Sequence, residues 1–161
     1  MTQDSTQDAH PSVHTPAEPD APATFEQLRE NLYRSGFFRL LDLRVDSAHD
    51  GRGVVRITVD ARLMHPQQIV HGGVIFTLAD TAMSMSLLSV LPANTRFSTI
   101  EAKINYIAPV VTGELLAEAT IIHRGRSTAV MEASVYNLKG DEKVLTARVL
   151  GTFHISASRY A

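Results

Sequence analysis

Cysteine and tryptophan are both missing from the 161 residues. Without Cys there is no disulfide framework, no thiol nucleophile and no Cys-based zinc site, although the compartment stays undecided on that ground alone. An excess of one charge is missing too: the net charge is -2 and the pI about 6.4. Neither nucleic acid nor a bare anionic membrane is therefore expected as a partner. None of the seven His forms a metal-type pair on a helical segment, so no metal ligand is expected. The longest apolar run, Gly73 to Leu91, is roughly as long as a membrane span. It holds Asp80 and three Ser, which favours a buried helix in a water-soluble domain. The first residues carry Asp4 and Asp8 with no apolar stretch, unlike a secretory signal, and a cytoplasmic protein is the expectation.

What is present begins with a low-complexity segment. Residues 1–23 hold Pro11, Pro16, Pro19 and Pro22 and, after Met1, no large apolar residue except Val13. Such a segment cannot bury enough surface to offset its ordering entropy, so a disordered tail is expected there, followed by one domain over 24–161. Thr24-Phe25-Glu26-Gln27 fits a capping box, and Phe25, Leu28 and Leu32 share one face of a helix over about 24–34 that stops near Gly36. Strand-like runs follow at 38–45 and 53–61, with the hairpin signal Asp50-Gly51 between them. Four more occupy about 99–108, 113–123, 127–138 and 143–155. In the first of these, Ile100, Ala102, Ile104 and Tyr106 alternate with Glu101, Lys103 and Asn105.

Between the two groups of strands lies Val70-His71-Gly72-Gly73, opening an apolar run that ends at Pro92. Its length and lack of alternation predict a helix apolar nearly all round, hence buried. Asp80, its one charge, lies in line with Thr77, Thr81 and Ser84 at helical spacing. Strands joined by short turns imply antiparallel pairing, so the fold expected is α+β, a curved antiparallel sheet of five or six strands wrapped around a central buried helix.

The string His71-Gly72-Gly73-Val74-Ile75-Phe76-Thr77-Leu78-Ala79-Asp80 closely resembles that of the hotdog-fold acyl-CoA thioesterases of the phenylacetic-acid-degradation type. Asn105-Tyr106-Ile107-Ala108-Pro109, Arg124-Gly125-Arg126-Ser127 and Gly151-Thr152-Phe153 resemble further pieces of that family, in order, over about 38–155. The resemblance implies hydrolysis of an acyl-CoA to free acid and coenzyme A, with the Gly72 backbone N–H on the thioester carbonyl and Asp80 as base or nucleophile. It implies that Thr99, beside Ser98, places the attacking water. It makes Arg124, Gly125, Arg126 and Ser127 contacts of the coenzyme A nucleotide; on a plainer reading the two Arg are solvated turn residues. His71, Gly73 and Gln68 join the substrate-binding positions, with His71 also read as shaping the turn. Where the family commonly has Asn, this chain has His65, with Gln67 and Gln68 nearby. No cofactor beyond the coenzyme A ester itself is implied.

These residue types suit the chemistry. A helix N-terminus offers unpaired N–H groups and the positive end of a dipole to a developing oxyanion. A glycine there lets an acyl group approach closely. Eight residues at about 1.5 Å rise put Gly72 and Asp80 roughly 12 Å apart on one helix, too far to serve one carbonyl. Two antiparallel helices across a two-fold axis would meet that need, so a homodimer with shared sites is expected, with a tetramer as dimer of dimers. Two rivals belong to other classes: a non-hydrolytic acyl-CoA binding or sensing module of the same fold, and a hydratase or dehydratase acting on enoyl-CoA.

Overall fold

The computed structural model describes residues 22–93 and 95–156. The tail expected over 1–23 lies, apart from residues 22 and 23, outside the described residues. Helix α1 (Phe25–Tyr33) starts as the sequence predicts: Thr24 Oγ1 accepts from Gln27 N–H, and the Gln27 side chain accepts from Thr24 N–H. The expected strand over 38–45 is replaced by a short helix α2 (Gly36–Leu41), closed by Asp42 in the left-handed region with φ 51°. One helical turn lets Phe38 enter the core while Phe37 and Leu40 stay outside.

Strands β1 (Arg44–His49) and β2 (Arg52–Thr58) form that hairpin, with positive φ at both Asp50 and Gly51. The left-handed pair matches the right-handed twist of the flanking strands. After a 3-10 turn at Ala61–Leu63 comes the long helix α3 (Gly72–Leu88). Strands β3 (Arg96–Tyr106), β4 (Glu114–Arg124), β5 (Thr128–Lys139) and β6 (Glu142–Ser156) complete one antiparallel sheet in the order β1–β2–β4–β5–β6–β3.

The sheet curls around α3. Ile75, Leu78, Ala82, Met83 and Leu87 of the helix meet Val55, Ile57, Leu115, Ala117, Met131 and Phe153 of the strands in one apolar core. The approach is close at Gly53, where a Cβ would lie 2.3 Å from the Ala82 carbonyl oxygen and 2.6 Å from Ser86 N. Only glycine lets β2 run that near the helix backbone.

Two features leave an open side. Along α3, Gly73, Phe76, Thr77, Asp80, Ser84 and Leu88 are half-buried or exposed, a stripe at helical spacing that the sheet does not cover. The helix is thus not enclosed all round, and Thr81, expected on the polar stripe, is buried instead. Beside that stripe runs β3, which among the described residues pairs with β6 alone and leaves its other edge unpaired.

Candidate active site

The first turn of α3 is held by two side chains. His71 is the N-cap, and its Nδ1 accepts from Gly73 N–H at 2.9 Å. Its own N–H donates to Leu63 O at 2.8 Å, and its carbonyl accepts from Val74 N–H at 2.9 Å. Tyr106, at the end of β3, donates its Oη–H to Gly72 O at 2.8 Å. The Gly72 N–H makes no hydrogen bond among the described residues. A helix N-terminus therefore presents one free donor, from a residue without a Cβ. A Cβ at Gly72 would meet Tyr106 Oη at 2.9 Å and Cζ at 3.0 Å. Desolvation raises the Tyr106 phenol above its ordinary pKa.

Two turns along, Asp80 lies half-buried on the open side of α3, and Thr99 Oγ1 donates to its Oδ1 at 2.8 Å. Strict alternation would turn Thr99 away from the helix, together with Glu101 and Lys103. A bulge at Ile100 changes the phase: Thr99 pairs with the inward Phe153, whereas Glu101 pairs with Thr152 on the outer face. From Ala102 the inward residues are even-numbered, and Tyr106 ends on the helix side. Bulges commonly re-aim a side chain in this way next to a site.

Residues 64–70 form a tight loop closed by a bridge between Met64 and Val70. His65 N–H donates to Ile69 O at 2.7 Å, and Gln68, left-handed at φ 61°, donates its N–H to His65 O at 2.8 Å. His65 is half-buried; its Nδ1 accepts from Gln67 N–H at 3.2 Å and its ring lies 5.8 Å from that of His71. Both Nδ1 atoms act as acceptors, so in each ring the proton sits on Nε2. Gln67 and Gln68 point their side chains into the exposed part of the loop. Beside Gly72 opens an apolar cavity of about 400 Å³, walled by Ile69, Val70, Ile75, Tyr106, Ile107 and Val110. A cavity of about 440 Å³ between Arg52, Glu118 and Glu132 is on the face of the sheet turned from α3, away from these groups.

The β4–β5 turn stands at the other end. Arg124 Nη1 donates to Val90 O at 3.0 Å, just past the C-terminus of α3. Gly125 N–H donates to Thr128 O, Ile155 N–H donates to Ser127 O, and Arg126 is exposed. Seventeen residues of helix separate this turn from Gly72, roughly 25 Å. Within one chain the structure thus brings His65, Gln68, His71, Gly72 and Gly73 together, joins Asp80 to Thr99, and leaves Arg124–Ser127 apart. Met83 and Met85 are buried core residues. Among the described residues no group of three His, Cys, Asp or Glu could hold a metal ion, and no helix is long and apolar enough to cross a membrane.

Tyr106 is the residue that the sequence reading missed as part of this site. Its signal was present, an aromatic with a polar tip closing a strand before Pro109, but its partner is a backbone carbonyl that no residue pattern announces.

The profile of the thioesterase superfamily matches residues 67–144. The acyl-coenzyme A thioesterase PaaI of Escherichia coli is 32% identical over 105 residues, 62% of this chain and 69% of the relative. The 1,4-dihydroxy-2-naphthoyl-CoA hydrolase of Listeria monocytogenes is 28% identical over 100 residues, 62% of this chain and 81% of the relative. The structure of a conserved Pseudomonas aeruginosa protein superposes with a TM-score of 0.72 at 35% identity, covering 80% of this chain and 98% of the other.

Proposed function

Because the chain belongs to the hotdog-fold thioesterase superfamily, in its PaaI-type branch, and is a thioester hydrolase, we propose that it cleaves an aryl, arylacetyl or medium-chain acyl-CoA with Gly72 and Asp80 as its reacting groups. The observation that carries the assignment is the unbonded Gly72 N–H at the start of α3, beside an apolar cavity. The thioester carbonyl oxygen accepts from that N–H. Asp80 takes a proton from water as the water oxygen attacks the carbonyl carbon, or attacks that carbon itself. Negative charge gathers on the oxygen facing Gly72 and the helix dipole, and the tetrahedral centre then collapses, expelling the thiolate of coenzyme A. On the water route the proton held by Asp80 passes to the thiolate; on the direct route the thiolate leaves a mixed anhydride on Asp80, which water then splits to the free acid and the regenerated carboxylate, one of its protons going to the thiolate. Either route balances with water alone and asks for no metal or redox cofactor. Thr99 holds the Asp80 carboxylate, and His65 takes the polar position beside the thioester through its Nε2–H.

The site is completed by a second copy of the chain. Tyr106 touches Gly72 at one end of β3 and Thr99 touches Asp80 towards the other, while the strand's outer edge is open. Antiparallel pairing of two such edges would set the Gly72 end of each chain against the Asp80 end of its partner, giving two equivalent sites. It would also carry each partner's Arg124–Ser127 turn towards the Gly72 end, within reach of the nucleotide of the bound coenzyme A. Pairs of such dimers would make the tetramer. Coenzyme A esters are intracellular metabolites, which fits a cytoplasmic enzyme.

The test is thiol release from aryl, arylacetyl and straight-chain acyl-CoA esters by wild type and Asp80→Asn. Turnover that drops about a hundredfold or more in the variant supports the assignment. Turnover unchanged in Asp80→Asn sinks it, and turnover of none of these esters sinks the substrate class.

A further inference from the structure

Two side chains grip one peptide group at the mouth of the site. The Gly72 carbonyl oxygen accepts from Tyr106 Oη at 2.8 Å, and on the other side of the same planar unit Gly73 N–H donates to His71 Nδ1 at 2.9 Å. Glycine is the most permissive residue in φ and ψ, so two in succession make the loosest start a helix can have. The free Gly72 N–H is joined to the gripped peptide through a single Cα, and its direction depends on how firmly that peptide is held.

We propose that Tyr106 is a positioning residue for the reaction: its hydroxyl, acting with His71, locks the Gly72–Gly73 peptide and thereby aims the Gly72 N–H at the oxyanion. The inference rests on the reading of Gly72 as the oxyanion donor. The two hydrogen bonds reinforce each other, because a donor on the carbonyl polarises the amide and strengthens the bond from its N–H. The clamp also explains why position 72 excludes a side chain: a Cβ would displace Tyr106 Oη from 2.9 Å. Since Thr99 on the same strand holds Asp80, β3 sets the position of both reacting groups.

Tyr106→Phe removes the hydroxyl and keeps the ring in the cavity wall. The expected result is a fall in kcat of about ten- to a hundredfold, with KM and the affinity for free coenzyme A changed less than about twofold. In the NMR spectrum of the full-length protein the Gly73 amide proton moves upfield and exchanges faster, while Tm stays near wild type. An unchanged kcat overturns the proposal whether or not the Gly73 resonance moves. An unmoved Gly73 resonance overturns it as well, because the clamp then does not exist. A fall in kcat accompanied by a collapse of Tm also overturns it, since Tyr106 would then be holding the fold. Failure of the parent reading has a different signature: Asp80→Asn turns over like wild type, and the Gly73 resonance still reports on the clamp.

Discussion

Thr99 reaches Asp80 only because Ile100 bulges out of β3; the 2.8 Å hydrogen bond between them joins residues 19 apart across the open side of α3. A hydrogen bond to a charged group is worth about 1.5–3 kcal/mol, or roughly ten- to a hundredfold in rate if it is needed in the transition state. Thr99→Val keeps the shape and removes the donor, so kcat is expected to fall by that factor. Thr99→Ser keeps the donor and is expected to stay within a few-fold of wild type. Equal activity of the Val and Ser variants in steady-state assays would remove Thr99 from the reaction.

Much of this arrangement is legible in the residues. The apolar run after Gly72-Gly73, with Asp80 inside it, specifies α3, and the turns at Asp50-Gly51, Arg124-Gly125 and Gly140-Asp141 mark the hairpins. Three things are not legible, each for a physical reason. The apolar cluster from Phe37 to Leu41 has the composition of a strand, yet Phe38 enters the core while Phe37 and Leu40 stay exposed, a one-sided burial that a single helical turn meets. The phase of β3 changes at a bulge that alternation cannot reveal. An apolar helix does not say which of its sides the sheet covers, and here the polar stripe lies on the uncovered one.

The Tyr106 phenol has a definite pH signature. Desolvation raises its pKa in the folded chain above the ordinary 10.0. The folded state favours the protonated form, so the associated stability is complete below the ordinary value and is lost as pH rises through the higher folded value. Subtracting the alkaline tyrosinate titration of Tyr106→Phe from that of wild type should leave one phenol titrating above 10.0. A component at or below that value would contradict the desolvated hydroxyl.

Gly53 offers a test of the helix–sheet packing that should leave the chemistry of α3 otherwise untouched. An added methyl would collide with the Ala82 carbonyl and Ser86 N, which are backbone atoms and cannot rotate away. Overpacking usually costs about 1–3 kcal/mol, and Gly53→Ala is expected at the top of that range or beyond in urea unfolding. A loss below about 0.5 kcal/mol would mean that β2 and α3 lie farther apart.

Arg124 and Arg126 separate two roles of one turn. Arg124 already donates to Val90 O, anchoring the end of α3, whereas Arg126 is exposed. Arg126→Ala should raise KM for an acyl-CoA several-fold with kcat and Tm unchanged, and the effect should shrink with added salt. Arg124→Ala should lower Tm as well. Two variants that behave alike in both measurements would show that the turn acts as a unit.

The shared site makes a prediction that no single-chain site can meet. In the proposed dimer each site takes Gly72 from one chain and Asp80 from the other. Gly72→Ala and Asp80→Asn homodimers therefore have two defective sites each. A mixed dimer differs: the Asp80→Asn chain supplies an intact Gly72 to the intact Asp80 of the Gly72→Ala chain, so one of its two sites is whole and the other carries both defects. Unfolding and refolding equal amounts of the variants together should make about half of the dimers mixed, restoring about a quarter of wild-type activity from two nearly inactive parents. The recovery should appear only after subunit exchange and sediment with the dimer or a larger assembly. If each chain carried its own site, mixing would restore nothing, and Gly72 and Asp80 of one helix would have to act on one carbonyl across roughly 12 Å.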